Sequence, residues 1–269
     1  MNFLIACDLE GIHGVIGEPF KTLNETPDYE TAKENAVLEI NTAAKALFDC
    51  GATTVYLWDN HGGGGNVDVS KLDTGIVCVT HRGDKYRYDF VTDKNIKGVV
   101  FLGYHAKEGT PNGVLAHTFS SVGIQYVKLN GEAIGELYTD TRICAAHGIK
   151  PLFHAGDDIS CAEVKAICPF IETVTTKYGK GRNRAELRQK DEVLSEIYNG
   201  VKKAVLAINQ PYGCDHPNEM HLEVRYTRAE KTEQIIERAR QENVPVSYGE
   251  DTHILHFEIG RVNLIPKFL

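Results

Sequence analysis

The sequence lacks the features that mark several large classes of protein. No apolar run approaches the roughly 20 residues that a transmembrane helix needs, and no positively charged region opens the chain as in a signal peptide. There is no long basic run, and the formal net charge is -8, so a nucleic-acid partner is not expected. These absences predict a soluble, cytoplasmic protein that binds neither membranes nor nucleic acids.

Cysteine is scattered along the chain and forms no pattern. The seven cysteines include no CxxC pair, and an odd, irregularly spaced set does not predict a disulfide framework. We expect them to be small, buried and reduced side chains, as is typical of a reducing compartment. Internal repeats and low-complexity tracts are also absent from the sequence.

The pattern that is present is typical of an α/β protein. Short apolar runs alternate with helical stretches, which indicates βα units, a mostly parallel sheet and helices on both of its faces. A chain of 269 residues, 42% of them hydrophobic, is long enough to bury such a core. Asn130-Gly131 predicts a tight hairpin turn, because both residues tolerate positive φ. Strands are predicted at 3–7, 53–58, 98–104, 123–129 and 151–155, and helices at 29–50, 134–147 and 188–209.

The residue pattern of the sequence changes after Pro169. A basic, glycine-containing stretch, Lys177 to Arg184, precedes the helix at 188–209, and the turn-rich segment 210–218 is typical of a linker. The rest alternates strand and helix patterns in a small α+β unit. We therefore predict a metal-binding catalytic α/β domain at 1–210 and a small α+β C-terminal domain at 211–269.

Acidic and histidine side chains follow the predicted strands. Asp8 and Glu10 end the first strand, His61 follows the second and His105 ends the third, while Glu136 opens a helix after the hairpin. Ligands of open parallel sheets collect outside the carboxyl ends of the strands, so these side chains are expected to converge. Two neighbouring carboxylates repel each other unless a cation lies beside them.

Three carboxylates and two imidazoles suit a pair of zinc ions, with Asp8 as the candidate bridging ligand. Each residue alone has a simpler interpretation, as a helix cap, a loop residue or a satisfied core histidine. The run Gly62 to Gly65 lacks the spacing of a phosphate-binding loop. It provides room for close approach to the site, or is simply a mobile loop.

The segments that carry these residues resemble the D-aminopeptidase family, and they occur in the same order as in that family. The resemblance covers residues 1–185 well and extends weakly to about residue 260. The matching segments are Cys7-Asp8-Leu9-Glu10-Gly11-Ile12, Asp59-Asn60-His61, Leu102-Gly103-Tyr104-His105-Ala106, Gly113-Val114-Leu115-Ala116-His117-Thr118, Ile134-Gly135-Glu136-Leu137 and Ala155-Gly156-Asp157-Asp158.

The resemblance implies an enzyme that hydrolyses the amide bond after an N-terminal D-amino acid, in a small peptide such as D-Ala-D-Ala or in an amino-acid amide. It implies that His117 is the active-site histidine, either as general base or acid or as nucleophile. It also implies a homo-oligomer, a ring-like decamer. Two zinc ions per subunit would be held by Asp8, Glu10, His61, His105 and Glu136.

Two features depart from the family pattern, namely the four glycines after His61 and a tail that ends soon after Arg261. Both bear on substrate and oligomeric state more than on metal binding.

Five further residues are candidates for supporting roles. Asp59, Asp157 and Asp158 could orient the histidines, and Arg182 or Arg184 could contact a substrate carboxylate. Simpler interpretations compete, because the aspartate pair is also typical of a helix N-cap and the arginines of a solvated basic loop.

Two other functions stay open at this point. The same two metals could serve a hydrolase of a different amide or acyl substrate, since fold does not fix function. Alternatively, the chain could be a non-catalytic, metal-stabilised, ring-forming protein. Structural zinc favours closed, cysteine-rich shells, and no cysteine belongs to this set.

Overall fold

The computed structural model describes residues 1–80, 85–211, 213–214, 217 and 219–269. Among these residues, none of the helices combines the length and the hydropathy that a membrane span requires. The principal elements, in chain order, are β1 (Asn2–Cys7), α1 (Asp28–Asp49), β2 (Thr54–Asp59), β3 (Ile76–Val79), β4 (Ile96–Leu102), β5 (Ile124–Leu129), β6 (Glu132–Ala133), α2 (Glu136–Ala146), β7 (Lys150–Asp157), α3 (Asp158–Ile167), β8 (Glu172–Gly181), β9 (Arg184–Leu187), α4 (Lys190–Leu206), β10 (Met220–Tyr226), α5 (Glu230–Gln241), β11 (Val246–Tyr248) and β12 (Ile254–Ile259).

The first sheet confirms the predicted α/β class. Its strand order is β3-β2-β1-β4-β7-β8-β9, and neighbouring strands run parallel, except that β8 and β9 are antiparallel. From β1 the chain first moves outward through β2 and β3, and then crosses back to β4 on the other side of β1. The strand order therefore reverses between β1 and β4, which is where open α/β sheets place their ligands.

Both faces of this sheet are covered, and the alternation of side chains along β1 shows how. Phe3 and Ile5 belong to the buried cluster that contains residues of α1 and α4, whereas Leu4 and Ala6 belong to a cluster with α2 and the second sheet. Successive side chains of a strand point to opposite faces, so a strand buried on both sides is apolar throughout.

The second sheet is antiparallel, with the order β11-β12-β10-β5-β6. The hairpin at Asn130-Gly131 joins β5 to β6, with φ of 51° and 87° at the two residues, as predicted. This sheet takes strands from both sides of residue 211, since Val127 of β5 pairs with Val224 of β10. The division into domains at 1–210 and 211–269 stays a prediction. The predicted linker 210–218 lies partly outside the described residues.

Two expectations are corrected by the structure. Cys168, after α3, forms a disulfide with Cys214, at a Cα–Cα distance of 5.3 Å; the fold brings together two cysteines whose sequence spacing gave no sign of pairing. Cys78 is exposed, so the expectation that the cysteines are buried does not hold for all of them.

The stretch Lys177 to Arg184 does not begin as a solvated loop. Its first residues belong to β8, and the Lys177 side chain is fully buried.

Candidate metal centre

The carboxyl ends of β1 and β4 are joined by close backbone contacts. The N–H of Asp8 donates to the carbonyl of Leu102 at 2.8 Å, and the N–H of Gly11 donates to the carbonyl of Gly103 at 2.6 Å. Gly103 has φ of +72°, and a Cβ there would lie 2.0 Å from the carbonyl oxygen of Asp8. Glycine is therefore required at this contact, which sets the loops after the two strands side by side.

The structure brings all five predicted metal ligands into one buried cluster. The Nδ1 atom of His61 lies 3.0 Å from both Asp8 Oδ1 and Glu10 Oε2. The Nε2 atom of His105 lies 3.5 Å from Asp8 Oδ2 and 3.3 Å from Glu136 Oε1. Each of these residues is between 2% and 9% exposed. Asp8 thus presents one oxygen to each of two histidines, which is compatible with a carboxylate that bridges two metal ions.

Two histidines are oriented by backbone carbonyl groups. The Nδ1 atom of His105 lies 3.0 Å from the carbonyl oxygen of Ala106, and that of His117 lies 2.9 Å from the carbonyl oxygen of Leu115. Donation from Nδ1 leaves Nε2, on the side of the carboxylates, as the ring atom that can bind a metal ion or carry a second proton. The two rings stack at 3.9 Å, and His117 Nε2 is 3.8 Å from Glu136 Oε1.

Asp59, a predicted supporting residue, contacts the loop that carries His61. Its carboxylate accepts hydrogen bonds from the backbone N–H groups of Asn66 and Val67. The side chain of Asn66 in turn donates to the carbonyl oxygen of His61 at 2.8 Å. On its other side, His61 Nε2 lies 2.7 Å from Asn24 Oδ1, which leaves Nδ1 directed at the cluster.

The pKa values of the carboxyl groups in the cluster are set by burial and by the neighbouring charged groups. Burial, followed by repulsion from Glu10, raises the pKa of Asp8 to about 7. Burial would also raise the pKa of Glu10, but the charge and hydrogen bond of His61 hold it well below its ordinary value. At Glu136, burial is likewise outweighed by the close contact with His105 and by the charge of that ring, and the pKa falls to about 2.

The histidines respond in the opposite sense. Burial would lower the pKa of His61, yet the neighbouring Glu10 carboxylate raises it to about 11. His105, also buried, has its pKa raised to about 10, mainly by its contact with Glu136. His117 differs, because burial and the adjacent His105 lower its pKa to about 4. The raised pKa values of His61 and His105 favour protonated rings. The positive charge of these rings balances the carboxylates, as a bound cation would.

The donor atoms fit zinc ions. His105 Nε2 is buried and has no hydrogen-bond partner among the described residues, although it faces two carboxylates. Donor atoms of Asp8, Glu10 and His105 lie within 4.8 Å of one another, as do those of His105, His117 and Glu136. Imidazole nitrogen and carboxylate oxygen are common zinc ligands. His117, predicted as the catalytic histidine, is therefore also placed where it could ligate a metal.

A buried network that the sequence did not reveal connects the ligand-bearing segments. The Asp140 carboxylate accepts from Arg87 Nε at 2.7 Å and from the hydroxyl of Tyr104 at 2.7 Å. Asn60 donates to the Tyr104 hydroxyl and accepts from Arg87 Nη2, each at 2.7 Å. Asn60 and Tyr104 precede the two histidine ligands, and Asp140 lies one turn after the glutamate that opens α2. The closeness of these residues to the predicted ligands along the chain is the one feature of the sequence that could have indicated the network.

A second set of missed residues lies on β8, under the loop after β1. Lys177 Nζ donates to the carbonyl oxygens of Glu10 and Ile12 at 2.6 and 2.8 Å. The hydroxyl of Thr176 donates to the intervening carbonyl of Gly11 at 2.6 Å. Burial lowers the pKa of Lys177 to about 8. Two neighbouring residues of β8 thereby donate hydrogen bonds to three consecutive backbone carbonyl groups of the loop after β1, which carries Glu10.

The other predicted supporting residues do not enter the cluster. Asp157 accepts from the N–H of Ser160 and so caps α3, while Asp158 accepts from a backbone N–H of β8. Arg182 and Arg184 donate to backbone carbonyl groups of nearby segments, and neither lines the cavity beside the metal ligands. Their part in substrate binding stays a prediction.

Fold and site together define an α/β protein with a buried cluster of carboxylates and histidines at the point where the strand order reverses. A family model described as D-aminopeptidase matches residues 1–257, and the chain belongs to the D-aminopeptidase family. It is 28% identical over 179 residues to a D-aminopeptidase of Bacillus subtilis (strain 168). This alignment spans 66% of the chain and 64% of that relative, less than two thirds of the relative's length.

The fold is also similar to a solved structure, described as the Zn-dependent D-aminopeptidase DppA from Bacillus subtilis, a self-compartmentalizing protease. The TM-score is 0.83 at 22% sequence identity, over 97% of this chain and 93% of that one. At this identity the likeness shows the shared fold.

Proposed function

We propose that this protein is a zinc-dependent aminopeptidase that hydrolyses the amide bond after an N-terminal D-amino acid. The observation that carries the proposal is the buried cluster at the ends of β1 and β4. There, the buried Nε2 of His105, which has no hydrogen-bond partner in the described part of the chain, faces the carboxylates of Asp8 and Glu136. Membership of the D-aminopeptidase family supports the choice of reaction.

Two zinc ions would be held by five side chains. Asp8 would bridge, because its two oxygens face different histidines. When bound, zinc supplies a Lewis acid that polarises the scissile carbonyl and makes water a better nucleophile near neutral pH. The five ligands would be Asp8, Glu10, His61, His105 and Glu136.

His117 would move the protons. Its Nε2 is free of a proton at neutral pH, because burial and His105 lower its pKa to about 4. The ring is fixed by its contact with the Leu115 carbonyl and by stacking on His105. A neutral imidazole held in this way can accept a proton from the attacking water and return it to the leaving amine.

The finer parts of the proposal concern assembly and location. We place the protein in the cytoplasm, as a homo-oligomer and specifically a decamer. The structural relative is described as self-compartmentalizing, which supports an assembly that encloses its active sites. Light scattering of the purified protein measures the number of subunits directly.

The test of the catalytic assignment compares two variants by metal content and by hydrolysis of D-Ala-D-Ala and D-alanyl amide. His117→Ala should retain two zinc ions per subunit and lose most activity, whereas Asp8→Ala should lose metal and activity together. The exposed His147 provides a matched control, since His147→Ala should change neither measurement. Full turnover by His117→Ala would contradict the role of that residue.

A panel of substrates separates the proposal from its rivals. Matched D- and L-aminoacyl amides and simple acyl esters should be cleaved with a clear preference for the D-aminoacyl group. Equal cleavage of the L-series or of esters would instead indicate a hydrolase of another substrate. A zinc-loaded protein that cleaves no member of the panel would favour the non-catalytic function.

A further inference from the structure

A second, larger cavity adjoins the metal centre. The cavity that contains the metal ligands has a volume of about 300 Å³, and its neighbour has a volume of about 490 Å³. The two share Arg87, Phe119 and Ser120 in their walls. A volume of this size is in the range that small-molecule sites occupy. We call the larger one the cationic cavity, because five basic side chains line it: Lys85, Arg87, Lys231, Arg238 and Lys267.

Positive charge in the cationic cavity is only partly balanced. No Asp or Glu side chain lines it among the residues that the structure describes, and the one carboxylate in its lining is the α-carboxylate of Leu269. Glu242, outside the lining, is 3.5 Å from Lys85 and 3.7 Å from Lys267. Lys231 and Arg238, seven residues apart on α5, make no ion pair within 4.0 Å to the described part of the chain. Both are exposed at the cavity, so a negative group of a ligand would meet uncompensated charge there.

Arg87 lies in the wall that the two cavities share. Its Nε and Nη2 atoms donate to Asp140 and Asn60, and its plane lies over the rings of Trp58 and Phe119 at 4.6 and 5.2 Å. Its Nη1 atom donates to no described residue. A guanidinium fixed in this way loses little entropy when it binds a carboxylate.

We propose that the cationic cavity binds the free C-terminal carboxylate of a short peptide substrate. The inference rests on the proposed function, in which the first residue of the peptide lies at the metal ligands. The rest of the peptide must then extend away from them. The cationic cavity adjoins the cavity of the metal ligands through the shared residue Arg87, so we place the rest of the peptide there, with its carboxylate at the cations of α5. Short peptides with a free C-terminus are therefore the substrate class, in preference to amino-acid amides.

The experiment compares D-Ala-D-Ala with its C-terminal amide, which differ only in the terminal charge. The ratio of kcat/KM for the acid to that for the amide should exceed one in the parent enzyme. It should fall about tenfold or more in the double variant Lys231→Gln/Arg238→Gln, because charge-assisted hydrogen bonds are removed. The control variant Arg228→Gln/Arg240→Gln removes the same charge outside the cavity and should keep the parent ratio.

A binding measurement separates failure of this inference from failure of the proposed function. Calorimetric titration of the acid and the amide into zinc-loaded His117→Ala protein should show tighter binding of the acid, with the difference lost when Lys231 and Arg238 are also replaced. Hydrolysis of both compounds with a ratio unaffected by the α5 variant overturns the cavity assignment and leaves the peptidase proposal standing. If neither compound is hydrolysed but the acid binds more tightly as predicted, the peptidase proposal is overturned and the assignment of the cavity stands.

Discussion

At the scale of single residues, the Asp140 carboxylate determines how firmly the ligand-bearing segments are joined. Asp140 is fully buried and the Arg87 side chain is 14% exposed. Replacing one partner of such a pair leaves the other charge without compensation, which typically costs about 3–5 kcal/mol. The carboxylate also accepts from Tyr104, whose hydroxyl in turn accepts from Asn60. Loss of Asp140 therefore loosens both histidine loops.

Asp140→Asn should lower the free energy of unfolding by about 3 kcal/mol, measured by urea denaturation at fixed zinc. Zinc affinity should fall about 10–100-fold, because the residues that orient the ligands are disturbed. The matched control is Asp93→Asn, which breaks an exposed pair with Lys94 and should leave both quantities nearly unchanged. An Asp140→Asn protein with the parent's zinc affinity would show that this network does not position the ligands.

At the scale of elements, β8 supports the ligand loop after β1 from below. Lys177→Met should keep the packing of the alkyl stem while leaving the carbonyls of Glu10 and Ile12 without their donor. We expect a loss of about 1–3 kcal/mol in unfolding free energy and weaker zinc binding by calorimetry. Lys180→Met on the same strand, where the side chain is exposed, is the control. The assignment is wrong if the two variants bind zinc equally well.

The helix α1 carries a buried acid whose titration should be visible in stability. Burial raises the pKa of Glu39 from 4.5 to about 7. The carboxylate accepts a hydrogen bond from the backbone N–H of His13, which lowers the pKa but does not outweigh burial. Between these values the folded protein holds a proton that the unfolded chain releases, so stability conferred by the neutral acid is lost as pH rises toward 7. Glu39→Gln keeps an acceptor for His13 and does not titrate.

The difference in unfolding free energy between Glu39→Gln and the parent should therefore shift in favour of the variant from pH 4.5 to 8. The expected shift is about 3 kcal/mol, at about 1.4 kcal/mol per pKa unit. Chemical denaturation at four pH values measures it, with the exposed Glu34→Gln as the control. A difference that stays constant over this range would mean that Glu39 is ionised in the folded protein throughout.

What the sequence could predict follows from the range of the contacts involved. That Asp8 and His105 lie close together could be predicted, because a strand's end is visible locally and parallel strands share one edge. Lys177 was misjudged as part of a basic loop, because its burial depends on a loop some 165 residues earlier. Asp140 gave no signal beyond its position one turn after Glu136, since the face of α2 that meets Arg87 is set by tertiary packing rather than by the helix's own periodicity.

At the scale of the whole molecule, the two sheets share one buried cluster. It joins Leu4 and Phe101 of the first sheet to Leu222 and Phe257 of the second. The pairing of β5 with β10 was invisible to local patterns because it joins strands about 95 residues apart. A core continuous across both sheets should make them unfold together, whereas the predicted boundary at residue 211 would allow two separate transitions.

Phe257→Ala tests which description holds. The side chain is fully buried in the second sheet, so its removal should cost about 3–5 kcal/mol. The single tryptophan of the sequence, Trp58, lies in β2 of the first sheet and reports on that sheet by fluorescence. If the core is continuous, the denaturation midpoint seen by Trp58 should fall as far as the midpoint seen by circular dichroism. The exposed Ser247→Ala on β11 is the control. An unchanged Trp58 transition, with only the circular dichroism signal displaced, would instead support an independent C-terminal domain.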